Sequence, residues 1–130
     1  MSELTFTIHG ALKSKANSRM AVKGTTKTGK TFTRFIKSQG AFDFTEGALL
    51  QIRAYMAKNK IATINDKVGL EMDIYYLSNR SDLSPELFFD CLQAGGLLAN
   101  DRQITEYSCR KHVDKEAPRV ECWLYTISEA

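Results

Sequence analysis

Residues 68–76 read VGLEMDIYY, with an apolar side chain at every second position from Val68 to Tyr76. Successive side chains of a β-strand point to opposite faces of its sheet, so this alternation predicts a strand that buries one face against a core. The strand leads into residues 80–104, which read RSDLSPELFFDCLQAGGLLANDRQI and carry most of the candidate chemistry of the chain.

The same patterns, followed outward, predict the remaining elements. Further strands are expected at residues 4–8, 32–37, 104–113 and 119–127, and helices at residues 45–60 and 85–93. We therefore predict an α+β fold, a single domain over residues 1–130 with a mixed β-sheet of four to five strands and two helices. Three cysteines without paired spacing predict free thiols in the core rather than disulfides or a zinc site.

The second helix is predicted to begin at Ser84 and Pro85, which read as an N-cap followed by proline at the first helical position. A pair of glycines then ends it. Helical spacing places Glu86, Asp90 and Gln93 in one narrow polar stripe on an otherwise apolar helix. Two carboxylates four residues apart repel each other, which favours a cation or a hydrogen-bond donor beside them.

Four carboxylates in this segment, on Asp82, Glu86, Asp90 and Asp101, form a candidate metal site. Mg²⁺ takes hard oxygen ligands, and one helix with its neighbouring turns is able to supply them. In the structural alternative, Asp82 helps to cap the helix, Asp101 makes an Asx turn and the other two acids are solvated. For all four acids together on an apolar segment, we favour the metal site.

The segment resembles the signature of the RusA family of Holliday-junction resolvases. The matching pieces are Arg80-Ser81-Asp82-Leu83, Phe89-Asp90-Cys91-Leu92-Gln93, Gly95 and Asn100-Asp101-Arg102-Gln103-Ile104, and residues 9–20 also resemble the start of family members. The resemblance implies a homodimeric endodeoxyribonuclease that nicks branched DNA, such as a four-way junction, in recombination and repair. It also implies that Mg²⁺, or Mn²⁺ as a substitute, is held by the catalytic residues Asp82, Asp90 and Asp101.

Between Asp82 and Asp90 the chain departs from the family pattern, because it is shorter and lacks one aspartate and a lysine at their usual places. Glu86 is a candidate substitute ligand on geometric grounds. Arg102 and Lys111 are candidates to neutralise the scissile phosphate in place of that lysine.

Positive charge is concentrated near the N-terminus. No acid lies between Glu3 and Asp43, and the candidate DNA-binding residues in that interval are Lys13, Lys15, Arg19, Lys23, Lys27, Lys30, Arg34 and Lys37. A basic, flexible segment at about residues 11–40 is therefore expected to contact phosphate backbone, although a solvated loop gives the same composition. The alternative function is a non-catalytic DNA-binding module that uses this arm.

A third interpretation, nucleotide binding, comes from residues 24–31, which read GTTKTGKT and satisfy the phosphate-loop pattern. The flanking residues instead predict a hairpin tip, because the upstream segment is too polar for a buried strand and the downstream one is rich in β formers. No apolar run has the length of a membrane span and no signal peptide is evident, so we expect a cytoplasmic location in a bacterial cell or a phage-infected host.

Overall fold

The computed structural model describes residues 3–13 and 19–127. The strands are β1 (Glu3–His9), β2 (Arg19–Thr25), β3 (Thr31–Lys37), β4 (Val68–Tyr76), β5 (Ile104–Val113) and β6 (Arg119–Thr126), and the helices are α1 (Gln39–Asn59) and α2 (Glu86–Ala94). A short 3₁₀ turn, Asp101–Gln103, precedes β5. The predicted α+β class, a single domain with two helices and a mixed sheet, is confirmed.

The main sheet has the strand order β1-β6-β4-β5. β6 runs antiparallel to both β1 and β4, whereas β4 and β5 are parallel. Parallel neighbours need a crossover connection, and α2 supplies it here. The chain therefore leaves β4 at one end of the sheet and enters β5 at the other end, which determines where the acids of the crossover lie.

One face of this sheet is covered by the two helices. Its buried side chains include Ile8, Leu70, Met72, Ile74, Val120 and Leu124, which pack with Ala48 and Ile52 of α1 and with Phe88 and Leu92 of α2. Burying a side chain of this size contributes about 1.5–3 kcal/mol each. All three cysteine thiols are free; Cys91 and Cys122 are buried and Cys109 is half-buried.

Both helices begin elsewhere than predicted. α1 starts at Gln39 rather than near residue 45, because Ser38 caps it by accepting a hydrogen bond from the Ala41 amide at 3.3 Å. The predicted N-cap of α2 at Ser84 is also wrong. Pro85 occupies the cap position without a side-chain hydrogen bond, and the Ser84 amide donates instead to the Tyr76 hydroxyl at 3.1 Å.

The basic segment forms an antiparallel hairpin of β2 and β3 with its own two-stranded sheet. β3 confirms the strand predicted at residues 32–37, whereas β2 was not predicted. The hairpin tip closes through a hydrogen bond from the Thr26 amide to the Lys30 carbonyl at 2.8 Å, and Gly29 adopts a positive φ of 83° that favours glycine. Neither helix is long and apolar enough to cross a bilayer within the described parts of the chain.

Candidate functional site

Asp82 lies in the loop that follows β4, near the C-terminal end of that strand. The loop is attached to the core through Tyr76, whose buried hydroxyl accepts the hydrogen bond from Ser84. Burial raises the pKa of Tyr76, the hydrogen bond from the Ser84 amide lowers it, and electrostatic interactions with Cys109 and then Asp82 raise it further. Asp82, two residues before Ser84, therefore lies at the C-terminal end of β4.

Asp101 lies at the other end of the crossover, against α2. Its amide donates to the side-chain oxygen of Gln93 at 3.0 Å, so one residue of the predicted polar stripe holds the turn in place. The side-chain amide of Gln103 donates to the carbonyls of Ile64 and Asp66, both at 2.8 Å. These contacts fix Asp101 beside the segment that enters β4, at the N-terminal end of that strand.

The structure therefore does not bring Asp82 and Asp101 together within one chain. β4 has nine residues, and eight steps of about 3.3 Å separate its ends by about 26 Å. Glu86 is the exposed first residue of α2, at the Asp82 end. Asp90 is half-buried one turn before Gln93, which places it on the side of α2 that leads to Asp101.

No three His, Cys, Asp or Glu side chains within residues 3–13 and 19–127 are grouped closely enough to hold one metal ion. A cage of three or four carboxylates is thus not formed by one chain in its described part. Mg²⁺ commonly takes only one or two protein carboxylates and completes its shell with water and substrate phosphate. The acids at either end of the crossover suit that smaller donor set, and the assignment of Asp82, Glu86, Asp90 and Asp101 as ligands stays a prediction.

The hairpin tip presents exposed cations, and their assignment to DNA binding stays a prediction. Lys27 and Lys30 are exposed, and Lys13 is half-buried. Lys15 lies outside the described residues, as do the side chains of Arg19, Lys23, Arg34 and Lys37. The phosphate-loop interpretation fails on structure, because the residues after Lys30 form strand β3 rather than the helix whose N-terminus would bind phosphate.

A polar network on the open face of the sheet was missed by the sequence analysis. Asp73 accepts hydrogen bonds from Arg110 Nε at 2.9 Å and Nη2 at 3.2 Å, and it lies 2.7 Å from His112 Nε2. The hydrogen bonds from Arg110 and then from His112 lower the pKa of Asp73 to about 2. The alternation of β4 did place Asp73 away from the core, but its partners on β5 became neighbours only through strand pairing.

Tyr75 extends this network across the open face. Its ring stacks on the His112 ring with 4.5 Å between centroids, and the Arg119 guanidinium lies 3.8 Å from the Tyr75 centroid. Arg119 also donates to Glu121 at 2.7 Å and to Asp114 at 2.9 Å. Each cation of this network is therefore paired with a carboxylate, and the network links β4, β5 and β6.

No protein-family model and no curated protein match the chain. The functional interpretation therefore depends on the acidic crossover, the basic hairpin and the resemblance of residues 80–104 to the RusA signature.

Proposed function

We propose that this protein is a Mg²⁺-dependent endodeoxyribonuclease that cuts branched DNA, such as a four-way junction. The observation that carries the proposal is the acidic crossover between β4 and β5, where the segment resembling the RusA signature presents Asp82 at one end and Asp101 at the other. The basic hairpin supports it, because an acidic site alone repels phosphate and needs cations elsewhere on the protein to bind DNA.

Binding is the role of the hairpin in this proposal. Lys27 and Lys30 are exposed at its tip. No acidic residue occurs between Glu3 and Asp43, so no carboxylate of this segment offsets their charge. Contacts of this kind neutralise backbone phosphates, give affinity without sequence preference, and weaken as salt rises.

Metal binding is the role of the crossover acids. When bound, Mg²⁺ supplies a water of lowered pKa and stabilises the negative charge on the leaving oxygen. Because Asp82 and Asp101 lie at opposite ends of β4, a site that uses both has to take them from two chains. The homodimer that the resemblance implies provides this possibility, and we include it in the proposal.

Lys111 is the better of the two cations considered for the scissile phosphate if Asp82 takes part. Its ammonium donates to the Asn79 carbonyl at 3.0 Å, so it lies beside the loop that carries Asp82. Arg102 follows Asp101 and lies at the other end of the crossover. A site assembled from two chains can use both cations.

The test is cleavage of a synthetic four-way junction. Cleavage is expected with Mg²⁺ or Mn²⁺, and it should be lost in EDTA and in Asp101→Asn, while the affinity of that variant for the junction in EDTA stays unchanged. Asn has nearly the same shape as Asp, so the variant removes a charged ligand with little effect on packing. Unchanged cleavage by Asp101→Asn would refute the assignment.

A non-catalytic DNA-binding module is the second candidate. It is favoured by the exposed Lys27 and Lys30 of the hairpin tip, which can bind phosphate backbone without a metal. This candidate predicts salt-sensitive junction binding but no product at any Mg²⁺ or Mn²⁺ concentration, with wild-type affinity retained in Asp82→Asn and Asp101→Asn.

A further inference from the structure

Two aromatic rings lie together on the open face of the sheet, at the N-terminal end of β4. The Trp123 and Tyr125 rings have 4.7 Å between centroids. Gly69 makes room for this arrangement, since a Cβ there would be 2.3 Å from the Tyr125 ring. A groove of about 260 Å³ runs beside Trp123, and its charged lining consists of Glu71, Asp73, Arg110 and Glu121.

Three carboxylates surround these rings. On β6, Tyr125 is paired with Glu3 of β1 on one side and with Gly69 of β4 on the other. Trp123 is paired with Glu71 of β4. Glu106 of β5 is paired with Gly69, so it lies one strand further from Tyr125. Burial raises the pKa of Tyr125, and the charges of Glu106 and then Glu71 raise it further. We define the acid-aromatic patch as Glu3, Glu71, Glu106, Trp123 and Tyr125.

The charge of this patch is only partly balanced within the sheet, where Arg110 lines the same groove as Glu71 and interacts with it electrostatically. Arg110 and Arg119, the two arginines of the open face, already pair with Asp73 and with Glu121 and Asp114. Within residues 3–13 and 19–127, the three carboxylates of the patch form no ion pair. Such a surface repels nucleic acid but suits a cationic side chain, which gains from both carboxylates and aromatic faces.

The complementary surface is present on the same protein. The hairpin tip, residues 26–30, carries exposed Lys27 and Lys30, and no acid flanks it between Glu3 and Asp43. We propose that the hairpin tip of a second copy docks on the acid-aromatic patch, reciprocally in a two-fold dimer. A contact of a few residues per side belongs to the small, transient class of interfaces, with affinity in the micromolar range and strong sensitivity to salt. The proposed function assigns these lysines to DNA, so DNA phosphate competes with the patch for them. The contact therefore belongs to the DNA-free protein and is distinct from the pairing that would share Asp82 and Asp101 between chains.

Trp123 is the only tryptophan of the chain, so its fluorescence reports on the patch directly. On concentrating the full-length protein from about 1 µM to about 200 µM, we expect the Trp123 emission to shift as sedimentation shows monomer converting to dimer. Both changes should reverse in about 1 M NaCl, where charges are screened beyond about 3 Å. A dimer whose formation leaves Trp123 emission unchanged would refute docking at the patch.

Reciprocal charge reversal distinguishes this contact from any other dimer. The variants are Glu71→Lys with Glu106→Lys, and Lys27→Glu with Lys30→Glu; all four side chains are exposed, so folding should be preserved. Each variant alone should stay monomeric, since like charges then face each other. An equimolar mixture should form heterodimers, because every tip again meets a patch of opposite charge.

The control for net charge is Glu46→Lys with Glu116→Lys, two exposed acids outside the patch, which should dimerise like the wild type. Self-association of either reversed variant at wild-type strength, or failure of the mixture to associate, would overturn the proposal. A wild-type protein that stays monomeric with a salt-sensitive Trp123 signal would also overturn it, because the tip would then reach its own patch. None of these readouts measures DNA cleavage. A dimer that does not involve the patch would refute the docking contact alone, whereas a wild-type protein that stays monomeric would count against both this contact and the homodimer included in the proposed function.

Discussion

Mixing two inactive variants, Asp82→Asn and Asp101→Asn, tests whether the proposed nuclease site takes its carboxylates from two chains. These acids lie near opposite ends of β4, a strand about 26 Å long, whereas oxygen ligands lie about 2 Å from a Mg²⁺ ion. Each variant alone is expected to lose cleavage. Random pairing makes about half of the dimers mixed, and each mixed dimer keeps one of two sites, so about a quarter of the wild-type rate should return.

The assay is the initial rate of cleavage of a labelled four-way junction, started with Mg²⁺ after the subunits have exchanged. The matched control mixes Asp90→Asn with Asp101→Asn. Asp90 is one turn before Gln93 on α2, and Asp101 is hydrogen-bonded to Gln93, so one chain supplies both acids to the same site. Every site in that mixture therefore lacks one ligand, and no recovery is expected. Full activity of Asp82→Asn alone, or no recovery in the first mixture although mixed dimers form, would refute a site shared between chains.

Three further predictions concern the hairpin, the sheet and its charges. Lys27→Gln with Lys30→Gln should lower the slope of log affinity against log salt for junction DNA by about 2, because two phosphate contacts are lost, and equal slopes would argue against contact at the tip. Gly69→Ala should destabilise the fold by about 1–3 kcal/mol in urea unfolding, since its Cβ would be 2.3 Å from a tyrosine ring, whereas Gly47→Ala, with no contact closer than 4.0 Å, should not destabilise it. Asp73→Asn should lower the free energy of unfolding by about 1 kcal/mol at pH 7 after solvent screening. The pKa of Asp73 is lowered from 3.8 to about 2, so this difference is present above about pH 4, shrinks as the pH falls below 4 and is lost as it passes through about 2; a constant difference would contradict the role of the Asp73 charge.

Much of the fold follows from the period of the apolar residues. The alternation in β4 and β6 and the apolar helix α2 were identified because buried faces repeat every second or every third to fourth position. The start of α1 was missed because it depends on a single hydrogen bond from the Ala41 amide to Ser38, and because glycines at 40 and 47 weaken the helical pattern. β2 was missed because its alternation is short, with only Met20 and Val22 as large apolar residues, and its charged residues argued against a buried strand.

The arrangement of the acids was harder to foresee, for a topological reason. Spacing along the chain predicts which side chains share a helix face, but not at which end of a sheet the helix is entered and left. Since β4 and β5 are parallel, the start and the end of their crossover lie at opposite ends of the strands. Had the sequence predicted that β4 and β5 pair in parallel, it would also have predicted that Asp82 and Asp101 lie at opposite ends of these strands.

The sequence could not predict the open-face network for a related reason. Asp73, Arg110 and His112 lie on two strands that are neighbours in the sheet but more than a helix apart in the sequence. Alternation alone marks Asp73 as facing away from the core. Only strand order and register identify which basic side chains meet it.

The side chain of Gln103 connects separate segments of the backbone through hydrogen bonds. Its oxygen accepts the Asn100 amide at 2.7 Å, and its nitrogen donates to the carbonyls of Ile64 and Asp66. Glutamate has the same length but offers no donor when ionised, so it would turn two attractions into repulsions. Gln103 therefore has a structural role. It holds in place the turn that carries Asp101, and this role does not require contact with DNA.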